Sequence, residues 1–269
     1  MKKLGIIAGK GTLPVTIAEE AKKQGYKVVI IALDPVADSI NGSADRIYRI
    51  NVGKFGKLID TLKKEGIKEV IMAGKVSKTL LYKNRTIIPD VRALKLLMKL
   101  PDRKDDTILS AITEELEKEG IYLLETAHLT KNLLIKEGVL TKRKPSKDEK
   151  RDIEFGFRIA KEIGRLDIGQ TVVVKDRAVM AVEAIEGTDE AIKRGGQLAG
   201  KGAVVVKVGK PQQDMRFDVP VVGLETLKAM YSVGATVLAA EAGTTILVDK
   251  EESVSFANKH RISILGIKF

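Results

Sequence analysis

A chain of 269 residues with no cysteine excludes disulfides, zinc–thiolate sites and thiol nucleophiles, and its two histidines, His128 and His260, lie too far apart in sequence to form a ligand motif. With 44% hydrophobic and 31% charged residues it reads as globular rather than disordered, and no apolar run approaches the roughly 20 residues that cross a bilayer. The balance of 47 basic against 36 acidic residues leaves a net charge of +11, which favours anionic partners, although a Lys/Glu-rich surface of the kind found in heat-adapted proteins explains it equally.

The length suits two domains, each able to bury its own core. Residues 4–8 form an apolar stretch too short for a signal peptide core, so a cytoplasmic protein is expected. Alternating apolar and amphipathic runs predict parallel βαβ units in the first third. Strands are expected at 4–8, 27–33, 46–50 and 69–73, with helices near 14–24 and 55–65. Pro14 suits a first helical turn, and Gly25 and Gly66 mark helix stops. Helices at 91–100 and 105–119 precede a strand at 121–124.

A charged, proline-punctuated run at 141–150 reads as a linker or an exposed helix entry, and the domain boundary is expected between about 130 and 148. Beyond it come a helix near 149–163, strands at 170–174 and 178–184, a helix after Thr188 and a strand at 203–208. A helix at 224–231, strands near 236–240 and 244–248, a helix at 250–259 and a strand at 262–267 close the chain. The expected architecture is α/β: an N-terminal Rossmann-like parallel-sheet domain over 1–133 and a C-terminal α/β domain over 134–269.

Four stretches carry candidate chemistry. Gly9-Lys10-Gly11-Thr12 leaves strand one and enters helix one, where glycines and free helix-start N–H groups suit phosphate. It lacks the third glycine of a dinucleotide fingerprint and the ending of a P-loop, and a tight turn without a ligand explains it too. Asp34, ending strand two, suits a ribose hydroxyl or, with Pro35, a simple turn. Gly74-Lys75 ends strand four and could share a crevice with the first turn, or be a solvated loop. Glu183 through Glu190 gathers carboxylates at a strand end, with Thr188 and Asp189 placed to cap the next helix; oxygen ligands suit Mg²⁺ or Mn²⁺. The last stretch, Lys207 to Pro220, holds Asp214 and Asp218 four apart with Lys207, Gln213 and Arg216. Without histidine or cysteine clusters, such carboxylates could hold a cation that activates water against phosphorus, while Arg216 and Lys207 neutralise phosphate; a salt-bridged surface loop is the alternative.

Taken together, Gly5-Ile6-Ile7-Ala8-Gly9-Lys10-Gly11-Thr12-Leu13-Pro14, Asp105-Asp106-Thr107-Ile108-Leu109, Leu166-Asp167-Ile168-Gly169-Gln170, the Val182 to Asp189 stretch and Gln213 to Gly223 resemble the LpxI family of lipid A biosynthesis, in order and spacing over both halves. The resemblance implies hydrolysis of UDP-2,3-diacylglucosamine to UMP and 2,3-diacylglucosamine 1-phosphate, with water attacking the α-phosphorus, Mg²⁺ (Mn²⁺ as substitute) assisting, and substrate held between the domains. It implies an essential aspartate, best matched by Asp218 and then Asp214, with Glu183 completing a metal set. Substrate contacts are expected from Gly9, Lys10, Gly11, Thr12, Gly74, Lys75, Gln170, Thr188, Asp189, Lys207, Gln213 and Arg216. A homodimer in peripheral contact with the inner membrane surface is expected, and no nucleic acid, since aromatics are 4% with no Trp. A non-catalytic sugar-nucleotide or dinucleotide binding protein and a dinucleotide-dependent oxidoreductase are the competing expectations.

Overall fold

The computed structural model describes residues 2–37, 40, 42, 44–76, 87–102, 105–212, 214–216 and 219–269. The chain forms two compact units, one of Met1–Thr130 with Asp214–Phe217 and one of Lys131–Gln213 with Asp218–Phe269.

The first unit is built on five parallel strands, β1 Lys3–Ala8, β2 Lys27–Asp34, β3 Arg46–Asn51, β4 Glu69–Ala73 and β5 Tyr122–Leu123, in the order β3-β2-β1-β4-β5. Leu4, Ile6, Ile30, Ile31 and Ile71 are fully buried, which is why β1 and β2 read as continuous rather than alternating apolar runs: helices cover both faces of a parallel sheet. Among the described residues those helices are α1 Leu13–Lys23, α2 Phe55–Lys64, α3 Val91–Lys99, α4 Asp105–Lys118 and the short α5 Thr126–Thr130. Phe55, Leu58, Ile59 and Leu62 give α2 one buried stripe at helical spacing, each side chain contributing about 2 kcal/mol of burial. The expected stops hold: Gly25 and Gly66 follow α1 and α2 at φ +84° and +66°.

The second unit has β6 Gly138–Val139, α6 Lys147–Arg165, β7 Thr171–Lys175, β8 Ala178–Val182, α7 Thr188–Ala199 and β9 Val204–Lys207. It continues with β10 Val221–Val222, α8 Leu224–Ser232, β11 Val237–Glu241, β12 Ile246–Leu247, α9 Lys250–Lys259 and β13 Ser263–Ile267. Its main sheet runs β13-β11-β9-β7-β8, while β10 and β12 pair separately. Strands β13, β11 and β9 are parallel; β7 opposes β9, and β8 opposes β7, so β8 points the same way as β9. Alternation along β9 sends Val204 and Val206 towards Ile153, Phe157 and Ala160 of α6, and Val205 towards Ile192 and Leu227 on the other face.

The charged run at 141–150 is a pinned helix entry. Ser146 caps α6 in a reciprocal box with Glu149, whose carboxylate also accepts from Arg143 at 2.6 Å, and Arg143 reaches Ser263 Oγ in β13 at 2.8 Å. Across the sheet, buried Asp152 accepts the amides of Asp176 and Arg177, the two left-handed residues that turn β7 into β8.

Candidate functional site

In the first unit the strand order reverses direction at β1 and β4, the position at which open parallel sheets bind ligands beyond their carboxyl ends. Both predicted glycine turns sit there, side by side. Gly9 N–H donates to Ala73 O at 2.8 Å, and Lys10 and Lys75 exchange backbone hydrogen bonds at 2.9 Å in each direction. The contact leaves no room for side chains: a Cβ on Gly9 would stand 2.7 Å from Lys75 O, and one on Gly74, itself at φ +88°, 2.8 Å from Lys10 O. Because the amides of Gly9 and Lys10 are committed to strand four, the donors a phosphate would meet are those of residues 11–13, at the start of α1, where helical N–H groups have no partner within the helix. Lys10, Gly11, Thr12 and Lys75 are exposed there, and Pro14 occupies the first helical turn. Asp34 ends β2 and is also exposed.

In the second unit, β8 and β9 end at the same edge, and α7 begins there. Three polar side chains are buried at that edge in a chain: Lys207 Nζ donates to Thr188 Oγ1 at 2.8 Å, and Thr188 Oγ1 donates to Glu183 Oε1 at 2.8 Å. Thr188 is thus not the helix cap that its position suggests. The N-cap is Gly187, without a side-chain cap, because the Thr188 hydroxyl is taken up between the ammonium and the carboxylate. Asp189 accepts from Thr226 Oγ1 at 3.2 Å. Gln170 O accepts from Val208 N at 3.0 Å, and Gly169 abuts Glu183, where a Cβ would fall 2.0 Å from its carbonyl oxygen. Next to them Glu186 is held below its usual carboxylate range by Arg194, at 2.5 Å.

A neighbouring cluster at this edge escaped the sequence reading. Glu241 Oε2, at the end of β11, accepts from Lys161 Nζ at 2.7 Å and from Gly209 N at 2.8 Å, and Lys161 also donates to Gly209 O at 3.1 Å. The loop leaving β9 is thereby fixed on both sides, with Lys210 reaching Asp167 at 2.7 Å. The available signal was a carboxylate closing an apolar strand, Leu238-Ala239-Ala240-Glu241.

Asp214 and Arg216 group with the first unit. They form a local clamp: Arg216 Nε and Nη2 meet Asp214 Oδ1 and Oδ2 at 3.0 and 2.7 Å, and Arg216 also approaches Glu117 of α4 at 4.0 Å. The guanidinium holds the Asp214 carboxyl below its usual range. Gln213 and Asp218 lie outside the described residues. Among the described residues no three His, Asp or Glu side chains gather in a group able to hold a metal ion. Glu183 and Asp214 are each engaged by neighbours, so the described side chains do not by themselves make a metal centre, and the assignment turns on Asp218.

Residues 3–133 match the model of the LpxI N-terminal domain and residues 136–265 that of the LpxI C-terminal domain. Over 281 residues the chain is 35% identical to the UDP-2,3-diacylglucosamine pyrophosphatase LpxI of Caulobacter vibrioides, covering 99% of this chain and 98% of that protein. Among solved structures, a GalE-like L-threonine dehydrogenase from Cupriavidus necator is 16% identical with a TM-score of 0.29, covering 44% of this chain and 34% of its own. The CobK precorrin-6A reductase is 27% identical with a TM-score of 0.21, covering 28% and 27%. Both halves and nearly every residue align with one family, and the chain belongs to the LpxI family.

Proposed function

We propose that this protein hydrolyses UDP-2,3-diacylglucosamine to UMP and 2,3-diacylglucosamine 1-phosphate, a step of lipid A biosynthesis. The observation that carries this reading is the end-to-end match, at 35% identity, with a relative named for that pyrophosphatase activity. The geometry supports it. A diphosphate needs cations and N–H donors, and the first unit offers the start of α1 beside its switch-point turns. The second unit offers Lys207, oriented through Thr188, at a strand edge braced by Glu241 and Lys161. Groups of either kind bind a phosphate and offset the charge that grows on its oxygens as water attacks.

Asp218 is the carboxylate we assign to catalysis and to Mg²⁺ or Mn²⁺. When bound, such a cation lowers the pKa of water and offsets phosphate charge. Attack at either phosphorus gives the same two products. The expected attack at the α-phosphorus places the oxygen of heavy-oxygen water in UMP, whereas attack at the β-phosphorus places it in the acylated sugar phosphate. Chelator arrest of UMP release, restored by Mg²⁺, and an Asp218→Ala variant that binds substrate without turning it over test the metal and the residue together; full activity in that variant removes the assignment. We further assign the protein to the cytoplasm as a homodimer that touches the anionic inner membrane peripherally, a contact supported by its net charge of +11. Equilibrium sedimentation tests the dimer.

A further inference from the structure

Helix α3 presents to solvent an apolar face that is not buried among the described residues. Val91, Leu94 and Met98, at helical spacing, are 71%, 51% and 78% exposed, and Ile88 just before the helix is 64% exposed. The opposite face is anchored: Ala93 and Leu96 are buried, and Asp90 caps the helix by accepting from Ala93 N at 2.8 Å. Asp90 also accepts from Gly56 N at 2.7 Å, and its own amide donates to Gly53 O at 2.9 Å. Arg92 pairs with Glu119 and Glu115 of α4. The helix is therefore held with its stripe outward, and its start is pinned beyond the end of β3, the carboxyl edge that also carries the Gly9 and Gly74 turns.

Lys95 and Lys99 are exposed along one flank of that stripe. They border a groove of about 380 Å³ lined by Val91, Arg92, Lys95, Leu96, Lys99 and Glu115. A large apolar strip on a surface helix marks an interaction site, and a strip flanked by lysines matches the boundary between acyl chains and anionic headgroups. A twofold contact with a second copy through the same strip would bring Lys95 and Lys99 near their own counterparts, a like-charge arrangement that opposes association.

We propose that α3, through Val91, Leu94 and Met98 with Lys95 and Lys99, docks the protein on an anionic lipid bilayer. This deepens the proposed function, whose substrate carries two acyl chains, but the test uses no substrate. Purified full-length protein is sedimented with vesicles of phosphatidylcholine alone or mixed with phosphatidylglycerol. Wild type is expected to co-sediment with the mixed vesicles and to be released by salt. A Val91→Gln, Leu94→Gln, Met98→Gln variant, which keeps helix-forming residues at exposed positions, is expected to stay in the supernatant with an unchanged melting temperature. Lys95→Gln with Lys99→Gln is expected to weaken vesicle binding about tenfold or more. Wild type that ignores mixed vesicles, or a triple variant that binds them like wild type, overturns the proposal. A dimer abolished by the triple variant, with no vesicle binding, overturns it in favour of a second copy. Vesicle binding without any hydrolysis in detergent micelles sinks the proposed activity instead and leaves the docking surface standing.

Discussion

Thr188→Val replaces a hydroxyl by a methyl of nearly equal volume at a site that is 3% exposed. The hydroxyl donates to Glu183 and accepts from Lys207, both at 2.8 Å, so the variant removes two hydrogen bonds between buried side chains, each to a charged group. Bonds to charged partners contribute about 1.5–3 kcal/mol each, and other contacts of Glu183 and Lys207 recover part of the loss, which puts the net cost at about 3 kcal/mol. A loss of 1 kcal/mol lowers the melting temperature of a unit this size by about 2–4 °C, so thermal unfolding followed by circular dichroism should shift down by about 6–12 °C. Thr188→Ser keeps the hydroxyl and should lie much closer to wild type. A valine variant that melts within a degree of wild type would refute the idea that this hydroxyl holds the buried ammonium and carboxylate together.

Gly9→Ala and Gly74→Ala each force a Cβ to within 3 Å of backbone atoms of the opposing turn, and should cost about 2–3 kcal/mol in a urea titration, more for Gly74 because of its positive φ. Asp152→Ala leaves two amides of the Asp176-Arg177 turn without their carboxylate and should destabilise the second unit by about 3 kcal/mol, most visibly as faster amide exchange in β7 and β8. Lys63 and Arg92 depress the Glu119 carboxyl from about 4.5 to about 2, so its contribution is present above pH 4.5 and fades as pH falls towards 2. Comparing Glu119→Gln with wild type across pH should therefore show a difference in melting temperature near neutrality that vanishes at pH 2; a constant difference would contradict the linkage.

The first unit was legible because strands buried on both faces read as unbroken apolar runs, and glycines at 25 and 66 punctuate its helices where a left-handed residue is required. Two-residue strands such as β6, β10 and β12, and the short α5, carry too few residues to express a period and were either missed or drawn too long. At the second unit's edge, Glu183 and Lys207 were visible as polar residues ending apolar runs, and Thr188 as a candidate helix cap. Their mutual bonding was not, since Thr188 looks like an ordinary helix cap from its neighbours alone. Lys161 and Glu241 are 80 residues apart, and only the pairing of β9 with β11 brings the Gly209 loop to the carboxylate they share. Chemistry pointed to an anionic, phosphate-bearing ligand; the identity of the sugar nucleotide came from family resemblance, because amide donors and lysines do not distinguish one diphosphate from another.

Hydrolysis itself can be measured directly. Purified protein mixed with UDP-2,3-diacylglucosamine in detergent micelles with Mg²⁺ should release UMP and 2,3-diacylglucosamine 1-phosphate in equal amounts, and Asp218→Ala should release neither. Tight binding of the sugar nucleotide with no UMP over hours, or cleavage that yields UDP in place of UMP, would contradict it.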